Sequence, residues 1–211
     1  KKGKLWFFSQ AWNEKDIKNI IGKGVRNFVI DNEKDLETLL KFINKNKEKI
    51  NIVLRMKFQE HRISAGKYFT YGLHSKKINE IILILKNNEF IKKLGIHIHR
   101  KSQNASEWEI KSDLEGSLSR ETLDRIDIIN LGGGFPIEYR TYTAEILPYI
   151  FNKVKEIKEW LRNKEKKIEI YVEPGRFIAG PSINLETETI QIYDNIVVIN
   201  TSIYNCALDT L

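Results

Sequence analysis

Three short stretches carry side chains that packing alone does not call for. In "GIHIHR", His97 and His99 stand two apart at the end of an apolar run. On a strand, that spacing turns both imidazoles to the same side. In "NLGGGFP", an apolar run meets Gly132, Gly133 and Gly134. Three glycines have nothing to bury and cost backbone entropy on folding. In "VEPGR", Glu173 ends a further run and is followed by Pro174, Gly175 and Arg176. A fourth run, "INIVLR", ends on Arg55. Bare glycine backbone offers N–H groups that can wrap a phosphate. A guanidinium presents a planar fork to the same group. A carboxylate and two imidazoles could pair, bind a metal, or meet a planar ring. Taken singly, each has a plainer explanation: a satisfied histidine pair, a tight turn, a surface ion pair. A His-x-His pair can start a metal site, but that chemistry needs further ligands. The pattern supplies few, so no metal is expected.

Taken together, the stretches suit a ligand with a phosphate, a planar ring and a basic ring nitrogen. Pyridoxal 5′-phosphate is such a ligand, and a carboxylate beside its ring nitrogen keeps that nitrogen protonated.

The elements that must position these residues follow a regular alternation. Short apolar runs at 4–8, 26–30, 50–56, 94–100, 126–131 and 167–173 read as strands buried on both faces. Helical patterns at 15–24, 32–47, 75–88 and 144–164 separate several of them. Residues 58–73 read as an irregular connection, and 102–125 as mixed loop and helix. The alternation predicts an α/β fold with a parallel sheet and helices outside it. Six strands are two short of a closed (β/α)8 barrel, and a doubly wound sheet is the alternative. The unusual residues lie at the C-terminal ends of four strands, which favours the barrel. After 183 the pattern becomes alternating strands with a tight Asp194-Asn195 link, the start of an antiparallel region. The expected domains are 1–183, a barrel domain, and 184–211, the beginning of a β-domain.

Composition narrows the function classes. The 211 residues carry a formal charge of +7. The lysines alternate with glutamates along helical patterns, as in "FNKVKEIKEWLRNKEKK", so a solvated helix face explains them and no nucleic-acid partner is expected. No apolar run is long enough to cross a bilayer, and no signal-peptide pattern is present. Cys206 is the single cysteine, which fits a reducing, cytoplasmic setting. The chain starts without Met and ends after a strand-like run, and it reads as an internal fragment.

The order and spacing of "GIHIHRKSQ", "INLGGGFP" and "VEPGR" resemble the fold-type III pyridoxal-phosphate decarboxylases. That family includes ornithine, lysine, arginine, diaminopimelate and carboxynorspermidine decarboxylases. The resemblance implies an alanine-racemase-like, TIM-like barrel of which about six of eight strands are present, followed by a β-domain. It implies a homodimer with shared active sites and a small amino-acid substrate. By the same resemblance, His99 stacks on the pyridine ring and Glu173 pairs with its nitrogen. Ser102, Gly132, Gly133, Gly134, Gly175 and Arg176 hold the phosphate, and Arg55 stands near the cofactor. His97 falls where some members have histidine and others do not. "GGGFP" is more similar to the ornithine and lysine branch than to the diaminopimelate branch.

There are departures from the family pattern. The lysine that links the cofactor is expected upstream of residue 1; a second register would put Gln10 in its place. The late cysteine, aspartate and tyrosine that complete the site are expected beyond Leu211, and Cys206 is too early to be that cysteine. Arg100 and Lys101 replace an apolar residue and a glycine, as phosphate anchors or as a rearranged loop. "FTYGL" keeps only Gly72 of a family signature. The expected activity is decarboxylation of a basic amino acid or polyamine precursor, with this fragment alone inactive. The alternative is an inactive homologue that binds and regulates a partner.

Overall fold

A computed structural model describes residues 4–57, 71–100, 107–138, 145–162, 167–182 and 185–202. Its main sheet has six parallel strands: β1 (Trp6–Phe8), β2 (Asn27–Ile30), β3 (Ile50–Arg55), β4 (Ile91–His97), β5 (Ile128–Asn130) and β6 (Glu169–Tyr171). Their spatial order is their chain order, β1-β2-β3-β4-β5-β6, with every neighbour parallel. A doubly wound sheet reverses order at its switch point. This one never reverses, and it curls as part of a barrel does.

Each strand is sided. Phe28, Ile30, Ile50, Ile52, Leu54, Met56, Leu94, Ile96, Ile98, Ile129 and Leu131 join one large core with the helices α1 (Glu14–Gly22), α2 (Glu33–Asn46), α3 (Ser75–Leu85), α4 (Ile110–Ser117), α5 (Arg120–Arg125) and α6 (Leu147–Arg162). The alternate residues Val29, Val53 and Ile128 form a second, smaller cluster with Trp6 on the inner face. The Trp6 ring meets the Tyr171 ring edge-on at 5.9 Å, which brings the first and last strands of the sheet toward one another. Strands covered on both faces explain why they read as continuous apolar runs.

Helix starts follow from local chemistry. Asn13 and Asp16 form a reciprocal capping box on α1. Asn32 caps α2 by accepting from Asp35 N–H, while the Asp35 carboxylate accepts the backbone N–H groups of Ala11 and Trp12. That carboxylate ties the turn after β1 to the start of α2.

The structure adjusts two boundaries. β4 begins at Ile91, three residues before the expected start at 94, because it pairs there with Ile50 of β3, whose N–H donates to Phe90 O at 2.9 Å. After Glu173 the chain forms a short helix, α7 (Gly175–Ala179), that the sequence pattern does not announce. Beyond it, β7 (Thr189–Tyr193) and β8 (Ile196–Ile199) pair antiparallel in a separate sheet, joined by Asp194 at φ 48°. No described helix is long and apolar enough to cross a membrane.

Candidate active site

The inner face is layered by register. Arg55 is level with His97, His97 with Asn130, and Asn130 with Tyr171. One step further along, Glu173 N–H donates to Gly132 O at 2.8 Å, and Ile98 N–H donates to Asn130 O at 2.9 Å. So the C-terminal rim of the sheet collects Arg55, His97, His99, Asn130, the glycine turn and Glu173. His99 lies just past the end of β4, yet its ring stays 6.1 Å from that of His97, on the same side.

Glu173 is the centre of this set. Its Oε2 lies 3.5 Å from His97 Nε2 and 3.8 Å from His99 Nδ1. Its Oε1 accepts a hydrogen bond from Asn130 Nδ2 at 2.8 Å. The neighbouring imidazoles of His97 and His99, with help from Asn130, hold the carboxyl well below the usual carboxylate range against the opposing effect of burial. His97 is 3% exposed, and burial favours its neutral form despite the nearby carboxylate. A neutral imidazole still donates through one nitrogen, so Glu173 is the group that carries the charge. Arg55 sits over the Phe8 and Tyr71 rings at 5.3 and 5.6 Å. Burial lowers its pKa while Asp31 and Glu173 support its charge. Gly72 is needed beside it: at φ +110°, an added Cβ would come within 2.8 Å of Arg55 O.

The three glycines do different jobs. Gly132 has φ +67°, and a Cβ there would strike the Ile98 carbonyl. Its N–H is taken by Asn130 Oδ1 at 2.9 Å. Gly132 therefore lets the turn press against β4. At Gly133 a Cβ would meet Glu173 O at 2.9 Å and the His99 ring at 3.3 Å. Gly134 has φ 98°. Neither the Gly133 nor the Gly134 N–H donates to a described residue, so these two are the ones free to face an anion. Gly175 N–H donates to Glu173 O at 2.8 Å, and its Cβ position meets nothing within 4 Å. Gly175 thus contributes room at the rim. Arg176 follows it on α7, half-buried. Ser102, Lys101 and Cys206 lie outside the described residues.

Arg100 faces away from the site. It is 6% exposed, stands over the Trp108 ring at 5.3 Å, and donates from Nε to Glu107 O at 2.5 Å. Burial pushes it down to about 10. Its guanidinium is taken up by the Glu107 and Leu131 carbonyls and the Trp108 ring. Asn130 is the site residue that the sequence reading missed. Gln10 ends up beside the rim, its amide on Asp31 Oδ2 at 2.5 Å.

The set fits pyridoxal phosphate. A charged carboxylate faces inward, an imidazole lies beside it, and two glycine N–H groups stand open in a turn where a Cβ at Gly132 or Gly133 would collide. The donor atoms of His97, His99 and Glu173 also lie within 4.8 Å of one another, a spacing a divalent cation could use.

A family model described as pyridoxal-dependent decarboxylase, pyridoxal binding domain, matches residues 3–180. The chain belongs to the pyridoxal-dependent decarboxylases. Pyridoxal phosphate is the cofactor of this decarboxylase domain. A diaminopimelate decarboxylase of Staphylococcus aureus is 25% identical over 196 residues, covering 84% of this chain and 44% of the relative. Among solved structures, a diaminopimelate decarboxylase from M. jannaschii superposes with a TM-score of 0.71 at 19% identity, over 95% of this chain and 50% of that one. A carboxynorspermidine decarboxylase from Campylobacter jejuni, complexed with norspermidine, gives 0.63 at 21% identity, over 94% and 48%. These likenesses show the barrel fold. The chain spans about half the length of the relatives it matches.

Proposed function

We propose that the protein decarboxylates a basic amino acid or polyamine precursor of the ornithine, lysine, arginine, diaminopimelate or carboxynorspermidine type. The observation that carries the proposal is the convergence on Glu173: two imidazoles and Asn130 surround a carboxylate beside an open glycine turn. Bound there, pyridoxal phosphate supplies the sink for the electrons left when the carboxylate of the substrate departs. Glu173 would hold a proton on the ring nitrogen, and His99 would cover the ring face. Gly133 and Gly134 would donate to the phosphate, with Ser102 and Arg176 nearby in sequence to their strand ends. Gly132 and Gly175 would shape the cradle, and Arg55 would add positive charge above Phe8. The linking lysine is expected upstream of residue 1, and the fragment alone is expected inactive. The domains 1–183 and 184–211, a homodimer and a cytoplasmic setting belong to the same proposal.

The family contains enzymes named for diaminopimelate, lysine, ornithine and carboxynorspermidine, and the rim residues do not choose among them. Nothing in the rim favours the partner-binding alternative. The test is to titrate the full-length protein with pyridoxal phosphate, follow visible absorbance, reduce with borohydride and locate the fixed cofactor by mass. Carbon dioxide release is then measured with each of the five substrates. Binding with no release from any of them sinks the decarboxylase reading.

A further inference from the structure

We infer that Asn130 is a positioning residue that locks Glu173 and the glycine turn into one unit, so that the carboxylate meets the ring nitrogen while the turn meets the phosphate. The inference rests on the pyridoxal-phosphate reading above.

Asn130 ends β5 and is 4% exposed. A buried amide must satisfy both ends of its side chain. Gly132 N–H can only donate, so the group facing it at 2.9 Å must be Oδ1. Nδ2 then faces Glu173 Oε1 at 2.8 Å as a donor. The amide orientation is thereby fixed by chemistry and not left as a choice. Glu173 N–H closes the ring by donating to Gly132 O at 2.8 Å. Three hydrogen bonds thus run in a closed circuit through Asn130, Gly132 and Glu173.

The circuit has two consequences. It ties Oε1 to Asn130 and leaves Oε2 on the side of the imidazoles. It also sets the start of the glycine turn from the same side chain that sets the carboxylate. The two ends of a bound ring would be gauged by one amide. A leucine or alanine at this position would leave the Gly132 N–H and Glu173 Oε1 both without their partner.

The test is cofactor binding by the full-length protein, read by fluorescence titration. The probes are pyridoxal phosphate and its 1-deaza analogue, which has carbon in place of the ring nitrogen. The proteins are wild type, Asn130→Ala and Asn130→Asp, with thermal melts run alongside. Asn130→Ala is expected to weaken pyridoxal phosphate on the order of tenfold or more, as for a lost hydrogen bond to a charged group, and the analogue less, by the share of the loosened turn alone. Asn130→Asp keeps the acceptor for Gly132 but faces Glu173 with a second carboxylate. The pair can share a proton at low pH and not at high pH. This variant is expected to bind pyridoxal phosphate like wild type at low pH and progressively worse as pH rises. Equal weakening of both probes by Asn130→Ala, or a pH-independent Asn130→Asp, overturns the inference alone. Wild-type protein that binds both probes equally overturns the ring-nitrogen role of Glu173, and the inference with it. If Asn130→Ala does not fold, the pH profile of Asn130→Asp decides.

Discussion

His97 Nε2 stands 3.5 Å from Glu173 Oε2, a buried imidazole against a carboxylate whose side chain is 43% exposed. Both groups resist protonation in the fold, His97 through burial and Glu173 through its imidazole neighbours. Their effects on stability have the same sign. Below the ordinary histidine value of 6.5, the unfolded chain takes a proton at residue 97 more readily than the fold does. Below the ordinary glutamate value of 4.5 the same holds at residue 173. Stability should therefore fall as pH drops from 7, first through histidine and then through glutamate. In His97→Asn the first part of the fall, just below pH 6.5, should flatten, and the part below 4.5 should shrink without vanishing, since His99 and Asn130 remain beside Glu173. Urea midpoints across this range are the measurement, and an unchanged slope above pH 5 would remove His97 from the account.

Gly132 and Gly175 should separate shape from binding. Gly132→Ala must place a Cβ on the Ile98 carbonyl at φ +67°. A loss of at least about 2 kcal/mol is expected from the strained backbone and the collision. Gly175→Ala meets nothing within 4 Å and begins a helix. It should melt within about 0.5 kcal/mol of wild type, while the added methyl narrows the rim and weakens pyridoxal phosphate. A Gly175→Ala protein that loses stability instead would mean the space above it is not open.

Arg100 tests the loop against the phosphate. Its guanidinium holds Glu107 O and lies on Trp108, with Leu131 O 3.4 Å from Nη1. Arg100→Met should cost about 1–3 kcal/mol, because buried carbonyls lose a charged donor. Cofactor affinity of the folded protein should stay unchanged. A parallel fall in affinity would restore the residue as an anchor.

The His97, His99 and Glu173 cluster has a metal-binding spacing, and the decarboxylase reading gives it to the cofactor ring instead. Prolonged dialysis against EDTA should leave pyridoxal-phosphate affinity and melting temperature as they were. If affinity collapses and returns with zinc, the cluster is a metal site.

Much of the fold was legible because parallel strands under helices are apolar on both faces. Val29, Val53 and Ile128 face inward and Phe28, Ile52 and Ile129 outward, so the runs appear continuous in sequence. Arg55, His97 and Glu173 stood out as polar residues that close such runs. Asn130 did not, since one asparagine between isoleucine and leucine reads as a weak strand end. Its phase was the available signal: it shares the inner face with Ile128 and precedes Gly132 by two. The early start of β4 was not legible, because Ile91 and Lys93 join the strand only by pairing with Ile50 and Asn51 of β3. The separate tasks of Gly132 and Gly133 were also hidden, since each depends on a carbonyl that arrives from another strand.

The inner cluster of Trp6, Val29, Val53 and Ile128 shares its layers with polar neighbours: Asn27 is level with Trp6 and Asn51, and Glu169, which pairs with Lys93, is level with Ile128. Hydrocarbon screens a field less than water does. A charge lost from the Lys93 and Glu169 pair is therefore carried along the inner face toward Glu173 and not hidden from it. The two ends of the sheet are tied in charge as well as in packing.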